Sequence, residues 1–156
     1  MAAADSEGGP MMDDLIRSLT ALHTSLIDAR SGYQEGLKDA HGQELTPLFT
    51  ELIAQHDQDA EAIAAQLQRL GAPPGEGGSY MGMLDRAVMK LTSLVINLDD
   101  KILPNLIDGE QTVLAHYDQA IAASSPSNAE YPVLTAQRAA LVQRIEAMKA
   151  RAGQAS

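Results

Sequence analysis

Apolar residues recur along this chain at alternating spacings of three and four. Leu15, Leu19, Leu22, Leu26, Ala29 and Tyr33 form one such stripe and predict an amphipathic helix from about Met12 to Ala40, closed by His41-Gly42. A second stripe, Leu45, Phe49, Leu52, Ala60, Ile63, Leu67 and Leu70, predicts a helix from about Glu44 to Leu70. Pro47 falls in its first turn, where a missing N–H costs little, and Gly71 followed by Pro73 and Pro74 stops it. Leu84, Val88, Leu91 and Val95 predict a shorter helix over Tyr80 to Ile96. A third long helix covers about Asp100 to Ala123, with Ile102, Leu106, Val113, Tyr117 and Ala120 in line and Pro104 in its first turn. After a loop at Ser124 to Asn128, a fourth runs to about Arg151 on Leu134, Leu141, Ile145 and Met148. Ser127 and Glu130 have the spacing of a capping box at its start.

The pattern predicts an all-α protein. Four helices of about 22 to 29 residues make a bundle about 35 Å tall. The short helix is about 25 Å long, enough to help carry the chain from one end to the other. Helices 2 and 3 are then parallel, joined by a long crossover that contains a short fifth helix. Residues 12–151 form the single domain, residues 1–11 a disordered, acidic, Gly-rich tail, and residues 152–156 a C-terminal tail. Gly75 to Ser79 reads as a linker and not a phosphate loop, because no Gly-Lys-Ser/Thr follows and no strand precedes it. Met81, Met83 and Met89 read as adaptable packing rather than a binding surface. Leu26-Ile27-Asp28 recurs as Leu106-Ile107-Asp108, a weak echo between two halves.

Composition narrows the class. Of 156 residues 45% are hydrophobic and 3% aromatic, so Ala, Leu and Ile must fill the core of closely packed helices. The absence of Cys rules out disulfides, thiol catalysis and Cys-ligated metals, and fits a reducing, cytoplasmic setting. The N-terminus lacks the basic and apolar regions of a signal peptide, and no apolar run approaches the ~20 residues that span a bilayer. A formal charge of −10 without basic clusters repels phosphate backbones and anionic lipid, which argues against nucleic acid or membrane partners.

Three stretches carry a likeness through their order and spacing. They are Asp28-Ala29-Arg30-Ser31-Gly32-Tyr33, Arg69-Leu70-Gly71-Ala72-Pro73-Pro74, and Asp108-Gly109-Glu110 leading to Tyr117. Over about residues 13 to 150 the chain resembles an uncharacterised bacterial family of ferritin-like domains of unknown function. The resemblance implies a ferritin-like four-helix bundle and no particular activity.

Ferritin-like metal sites use inward-facing carboxylates and histidines, commonly a Glu from each of two helices and Glu-x-x-His from the other two. Polar residues on the apolar stripes are therefore the candidates. His56 lies within ~20° of the second stripe's centre, and Glu110 stands between Leu106 and Val113 on the third. Arg30 flanks the first stripe, Asp59 the second, and Gln137 sits between Leu134 and Leu141. Arg30, His56 and Glu110 lie about 15–18 Å from one end of the bundle and should share a layer, with Asp59 and Gln137 slightly deeper.

Two readings of this layer compete. In the metal reading, His56, Asp59 and Glu110 hold iron or manganese for oxygen chemistry. Against it, no helix carries Glu-x-x-His, and Asp28 and Asp108 point about 140–160° away from their stripes. In the structural reading, which is favoured, Arg30 pairs with Glu110 in a cation's place and His56 completes a hydrogen-bond network, with no cofactor. His23 and His116 are expected to face solvent, and His41 to lie in a turn. No nucleophile–base pair stands out, so an enzyme is not favoured. A homodimer or another protein partner is the expected mode of action, with Ile16, Ile27 and Ile107 as candidate apolar surface.

Overall fold

The structure, a computed structural model, describes residues 2–39, 45–74 and 102–155, with side chains over 12–38, 45–74 and 102–153. Four helices account for nearly all of these residues: α1 (Ala2–Asp39), α2 (Thr46–Arg69), α3 (Leu103–Ala122) and α4 (Glu130–Ala155). No strand occurs among the described residues, and none of their helices is long and apolar enough to cross a membrane. α1 starts ahead of the Met12 expected from its stripe and takes in the segment read as a tail. The short helix expected over Tyr80–Ile96, the Gly75–Ser79 linker and the His41-Gly42 turn lie outside the described residues.

Local chemistry sets the helix ends. Pro47 and Pro104 sit in the first turns of α2 and α3, where the ring replaces an N–H that has no intrahelical partner. α2 ends at Gly71, whose φ of 80° is the left-handed conformation that glycine adopts freely. Ala72 N donates to Leu67 O at 2.8 Å and Gly71 N to Gln68 O at 3.0 Å, the paired bonds of a Schellman cap. At the start of α4, Glu130 is buried and binds Asn128 Nδ2 at 2.8 Å, Ser124 Oγ at 2.5 Å and Arg69 Nη2 at 2.8 Å. Ser127, expected to form the capping box with Glu130, bonds Ser125 at 3.2 Å instead.

Contacts fix the helix directions. Arg30 meets Asp57 and Tyr33 packs on Phe49, so α1 and α2 are antiparallel. Asp118 meets Arg138 and Ser124 meets Glu130, so α3 and α4 are antiparallel too. Arg69 near the end of α2 and Ser124 just past α3 both reach Glu130, so α2 and α3 run parallel. α2 thus ends and α3 begins at opposite ends of the molecule, as a crossover requires.

The neighbouring pairs are α1–α2, α1–α3, α3–α4 and, most sparsely, α2–α4, which leaves α2 and α3 across a diagonal. Between them lies a core of the expected stripe residues, with Leu19, Leu22, Leu26, Phe49, Leu52, Leu106 and Leu141 fully enclosed. The surface role expected for three isoleucines is not seen. Ile107 is buried, and Ile16 and Ile27 pack against the core from its margin. Among the described residues Met12 is the exposed large hydrophobe.

Candidate functional site

Leu-rich stripes from four helices leave one stratum of the core that is not apolar. α3 delivers Glu110 at the stripe position between Leu106 and Val113, and α2 delivers His56 from across the diagonal; both side chains are 0% exposed. His56 Nε2 stands 2.8 Å from Glu110 Oε2. The hydroxyl of Tyr33, from α1, donates to the same oxygen at 2.7 Å. Tyr33 also stacks on the His56 ring, with centroids 5.9 Å apart and planes 19° apart, and meets Phe49 edge-on. Two rings and one carboxylate thus lock three helices in register.

Electrostatics decides the charge of the carboxylate. Burial alone pushes the Glu110 carboxyl up; attraction to His56, the bonds from His56 and Tyr33, and the nearby Arg144 together outweigh it and hold the carboxyl below the usual range. An ionised carboxylate can only accept, so His56 Nε2 carries the hydrogen of their bond. Burial and the Glu110 charge push the Tyr33 hydroxyl well above the ordinary phenol range, so it remains a donor.

One turn along α2, a second group of polar residues follows. Asp59 Oδ1 accepts from Gln55 Nε2 at 3.0 Å, and the Asp59 carboxyl also lies against the Tyr117 hydroxyl. Tyr117 donates to Gln137 Oε1 of α4 at 2.7 Å. Burial pushes Asp59 up toward the neutral acid, opposed by the Gln55 bond and by Arg144 and His56. Burial and the neighbouring Asp59 push Tyr117 up as well.

Of the residues expected in the layer, His56, Glu110, Asp59 and Gln137 come together, and Arg30 does not. Arg30 Nη1 bonds Asp57 Oδ1 at 2.5 Å, with side-chain exposures of 27% and 46%, at the margin of the α1–α2 seam. A position about 60° off the stripe carries a long side chain to the rim, where water shares its solvation. The expected Arg30–Glu110 pair is therefore replaced by Tyr33 and His56 on Glu110.

The cation of the layer comes from α4, where Arg144 is half-buried. Register explains it: Tyr117 lies opposite Gln137, so one antiparallel step of seven residues sets Glu110 opposite Arg144. Arg144 acts electrostatically on Glu110, Asp59, Tyr33 and Tyr117, and its Nε and Nη2 are buried without hydrogen-bond partners. Glu110 Oε1 and His56 Nδ1 are also buried without partners. Arg144 is seven residues beyond Gln137, two helical turns along the same face, and that spacing is the signal that could have found it.

The histidines outside the layer also differ from expectation. His23 is buried, beside Thr24, Ser25 and Asp28, because α1 is enclosed on more than the face its apolar stripe marks. Its burial, with the charge of Arg30, pushes the ring below the usual histidine range. His116 is half-buried and its ring is pushed down by burial. Asp108 is exposed, as its angle predicts.

The donor set can be compared with what a metal needs. Tyr33 and His56 both spend their hydrogens on Glu110 Oε2, and Asp59 is turned to Gln55 and Tyr117. Among the described residues no group of three or more His, Asp or Glu side chains is placed to hold a metal ion. Glu110 Oε1 and His56 Nδ1 keep free lone pairs, but among the described residues no third His, Asp or Glu joins them, which falls short of the ligand set of a di-metal centre.

Among the described residues, fold and layer together define an all-α arrangement of four helices with a polar stratum across their core. The chain matches the family described as a domain of unknown function (DUF2383) over residues 14–123, and it belongs to that family. The matched stretch contains Tyr33, His56, Asp59, Glu110 and Tyr117, and stops short of α4 with Gln137 and Arg144. No curated protein and no solved structure matches the chain.

Proposed function

We propose that this chain is a ferritin-like scaffold without catalytic chemistry of its own, acting through protein contacts as a homodimer or with another protein. In it a self-neutralised polar layer stands where that fold class carries a di-metal centre. The observation that supports this most is the engagement of Glu110 Oε2 by both His56 and Tyr33, with neither the His56 nor the Glu110 side chain exposed. A metal on Glu110 Oε2 would have to displace both bonds, and the Glu110 charge is already met by that of Arg144. The parallel α2 and α3 support the ferritin-like topology. A buried ionic layer adds little net stability, since desolvation offsets attraction, but it sets register sharply.

The test is elemental analysis by inductively coupled plasma mass spectrometry after incubation with iron and manganese and desalting. The scaffold reading expects no stoichiometric metal. Metal retained at one or two ions per chain, and lost in Glu110→Ala, would replace it with the oxidase or iron-handling reading centred on His56, Asp59 and Glu110. Light scattering on the purified protein then reads whether the chain pairs with itself.

A further inference from the structure

α2 ends and α3 begins at opposite ends of the molecule, and the two helices sit across a diagonal. A chain that joins them must therefore pass over α1 or over α4, the helices of the other diagonal. The outward-facing residues of those two helices differ in exposure, and the difference separates the two routes.

On α4, Leu134, Leu141, Ile145 and Met148 face the core. Ala136, Ala139, Gln143, Ala147 and Ala150 all fall within about 50° of the opposite direction, and all five are exposed. α1 is different. Thr24 lies almost directly opposite the stripe of Leu19, Leu22 and Leu26, and Asp28 about 140–160° from it, yet they are 6% and 7% exposed. α2 meets α1 at Arg30 and α3 meets it at Tyr33, both within about 60° of the stripe, so those contacts do not cover this side. Something else lies over the middle of α1.

We propose that residues 80–96 lie along the outer face of α1 at Thr24 and Asp28, so that the crossover passes over α1 and not over α4. Their stripe of Leu84, Val88, Leu91 and Val95 meets Ile16 and Ile27, the apolar residues on one margin of that face. Asp85 is outweighed by Arg86 and Lys90, so the charge of the segment does not oppose its approach to Asp28. A second copy of a chain with a formal charge of −10 is repelled instead. This placement goes beyond the scaffold reading and does not depend on it. It also takes the outer face of α1 away from any partner.

The test is paramagnetic broadening of amide signals by NMR in the full chain. The chain has no Cys, so Lys90→Cys introduces one thiol to carry a nitroxide, on the side of residues 80–96 away from their stripe. Amides of α1 from Thr24 to Arg30 are expected to lose most of their intensity until the label is reduced. Those of α4 from Ala136 to Ala147 should keep theirs, because α1 and α4 stand across a diagonal and one label does not reach both outer faces. Ser93→Cys repeats the measurement from a second position. Isotope-labelled chain without a thiol, mixed with unlabelled spin-labelled chain, should show no loss. Broadening on the outer face of α4, or on neither helix, overturns the proposal. So does broadening on α1 that the mixed sample reproduces, which would assign the cover to a second copy.

Discussion

His56 and Glu110 are joined at 2.8 Å across the diagonal between α2 and α3, two helices that do not otherwise pack as neighbours, with neither side chain exposed. Removing one partner strands the other in a medium that cannot solvate it. Glu110→Ala is therefore expected to cost about 3–5 kcal/mol and to lower the melting temperature by ~10 °C. Replacing both residues with Leu removes the polar pair while filling the space, so His56→Leu/Glu110→Leu should recover most of that loss. Calorimetry on the three chains checks this. A double variant no more stable than Glu110→Ala would mean that Tyr33 and Arg144 need the carboxylate as much as His56 does.

Arg30 and Arg144 should behave differently although both were drawn from the same residue type. Arg30 pairs with Asp57 where both are solvent-accessible, and such pairs contribute about 0–1 kcal/mol. Arg30→Ala should shift the melting temperature by no more than about 3 °C. Arg144→Ala removes the cation opposite Glu110 and should cost at least about 2 kcal/mol. Thermal melts of the two variants side by side decide it, and a larger loss for Arg30 would return that residue to the layer.

The contrast shows where sequence reasoning reached. Stripe geometry was enough for Glu110, His56 and Gln137, because short, centrally placed side chains go where their Cα–Cβ bonds point. It was not enough for arginines, whose long stems let an off-centre residue reach either the core or the rim. α4 adds a second difficulty. Ala136, Ala139, Ala140, Ala147 and Ala150 blur the border between its apolar and polar faces, so Arg144 had no sharp stripe to be measured against. Tyr33 was legible as a core residue, while its role as the second donor to Glu110 depends on which hydroxyl faces which carboxylate across α1 and α3. The four long helices and the ends at Pro47, Gly71 and Pro104 were legible because each rests on local chemistry. The burial of His23 and Asp28 was not, since it depends on what encloses α1 beyond its stripe.

Stability should fall in acid in two stages. His23 and His116 are pushed down in the fold, so their neutral forms are favoured. Their contribution is complete above the unfolded histidine value of about 6.5 and shrinks as the unfolded chain takes up protons below it. Glu110 is held low, so its contribution is complete above the unfolded value of about 4.3 and is lost as pH falls through the folded one. Asp59 has the opposite sign. Its raised value means that the fold is favoured below the unfolded value of about 3.9 and penalised as pH rises through the folded one. Urea midpoints should decline from pH 7 to 5 and again below about pH 4. Asp59→Asn should gain more at pH 7 than at pH 4. A wild-type midpoint that is flat between pH 7 and 5 would show that neither histidine is held neutral.

Glu130 anchors the start of α4 by accepting from Ser124, Asn128 and Arg69 while buried at 1% exposure. Burial pushes this carboxyl up, and the Ser124, Asn128 and backbone N–H bonds with the Arg69 charge bring it below the usual range. Glu130→Ala should cost about 1.5–3 kcal/mol, since hydrogen bonds to a charged group are lost and three donors are left. Glu130→Gln should cost less, because an amide oxygen still accepts. Hydrogen exchange should show the loosening first in the opening turn of α4; a uniform loss of protection along α4 would instead make Glu130 part of the global core.

One substitution made at two glycines should have opposite signs. Gly71 caps α2 at a φ of 80°, a region an L residue enters at a cost of about 1–2 kcal/mol. A Cβ there meets nothing within 4 Å, so Gly71→Ala should be destabilising through backbone conformation alone. Gly109 lies inside α3, where glycine is worse than alanine by about 0.5–1 kcal/mol. An added Cβ would stand 3.7 Å from the Tyr33 hydroxyl, an ordinary contact that leaves the Tyr33–Glu110 bond undisturbed. Gly109→Ala should therefore stabilise the chain by up to about 1 kcal/mol. Urea denaturation of both variants measures the pair. If Gly109→Ala destabilises, the Tyr33 hydroxyl has no room to yield beside α3, and the layer is held more tightly than its hydrogen bonds alone require.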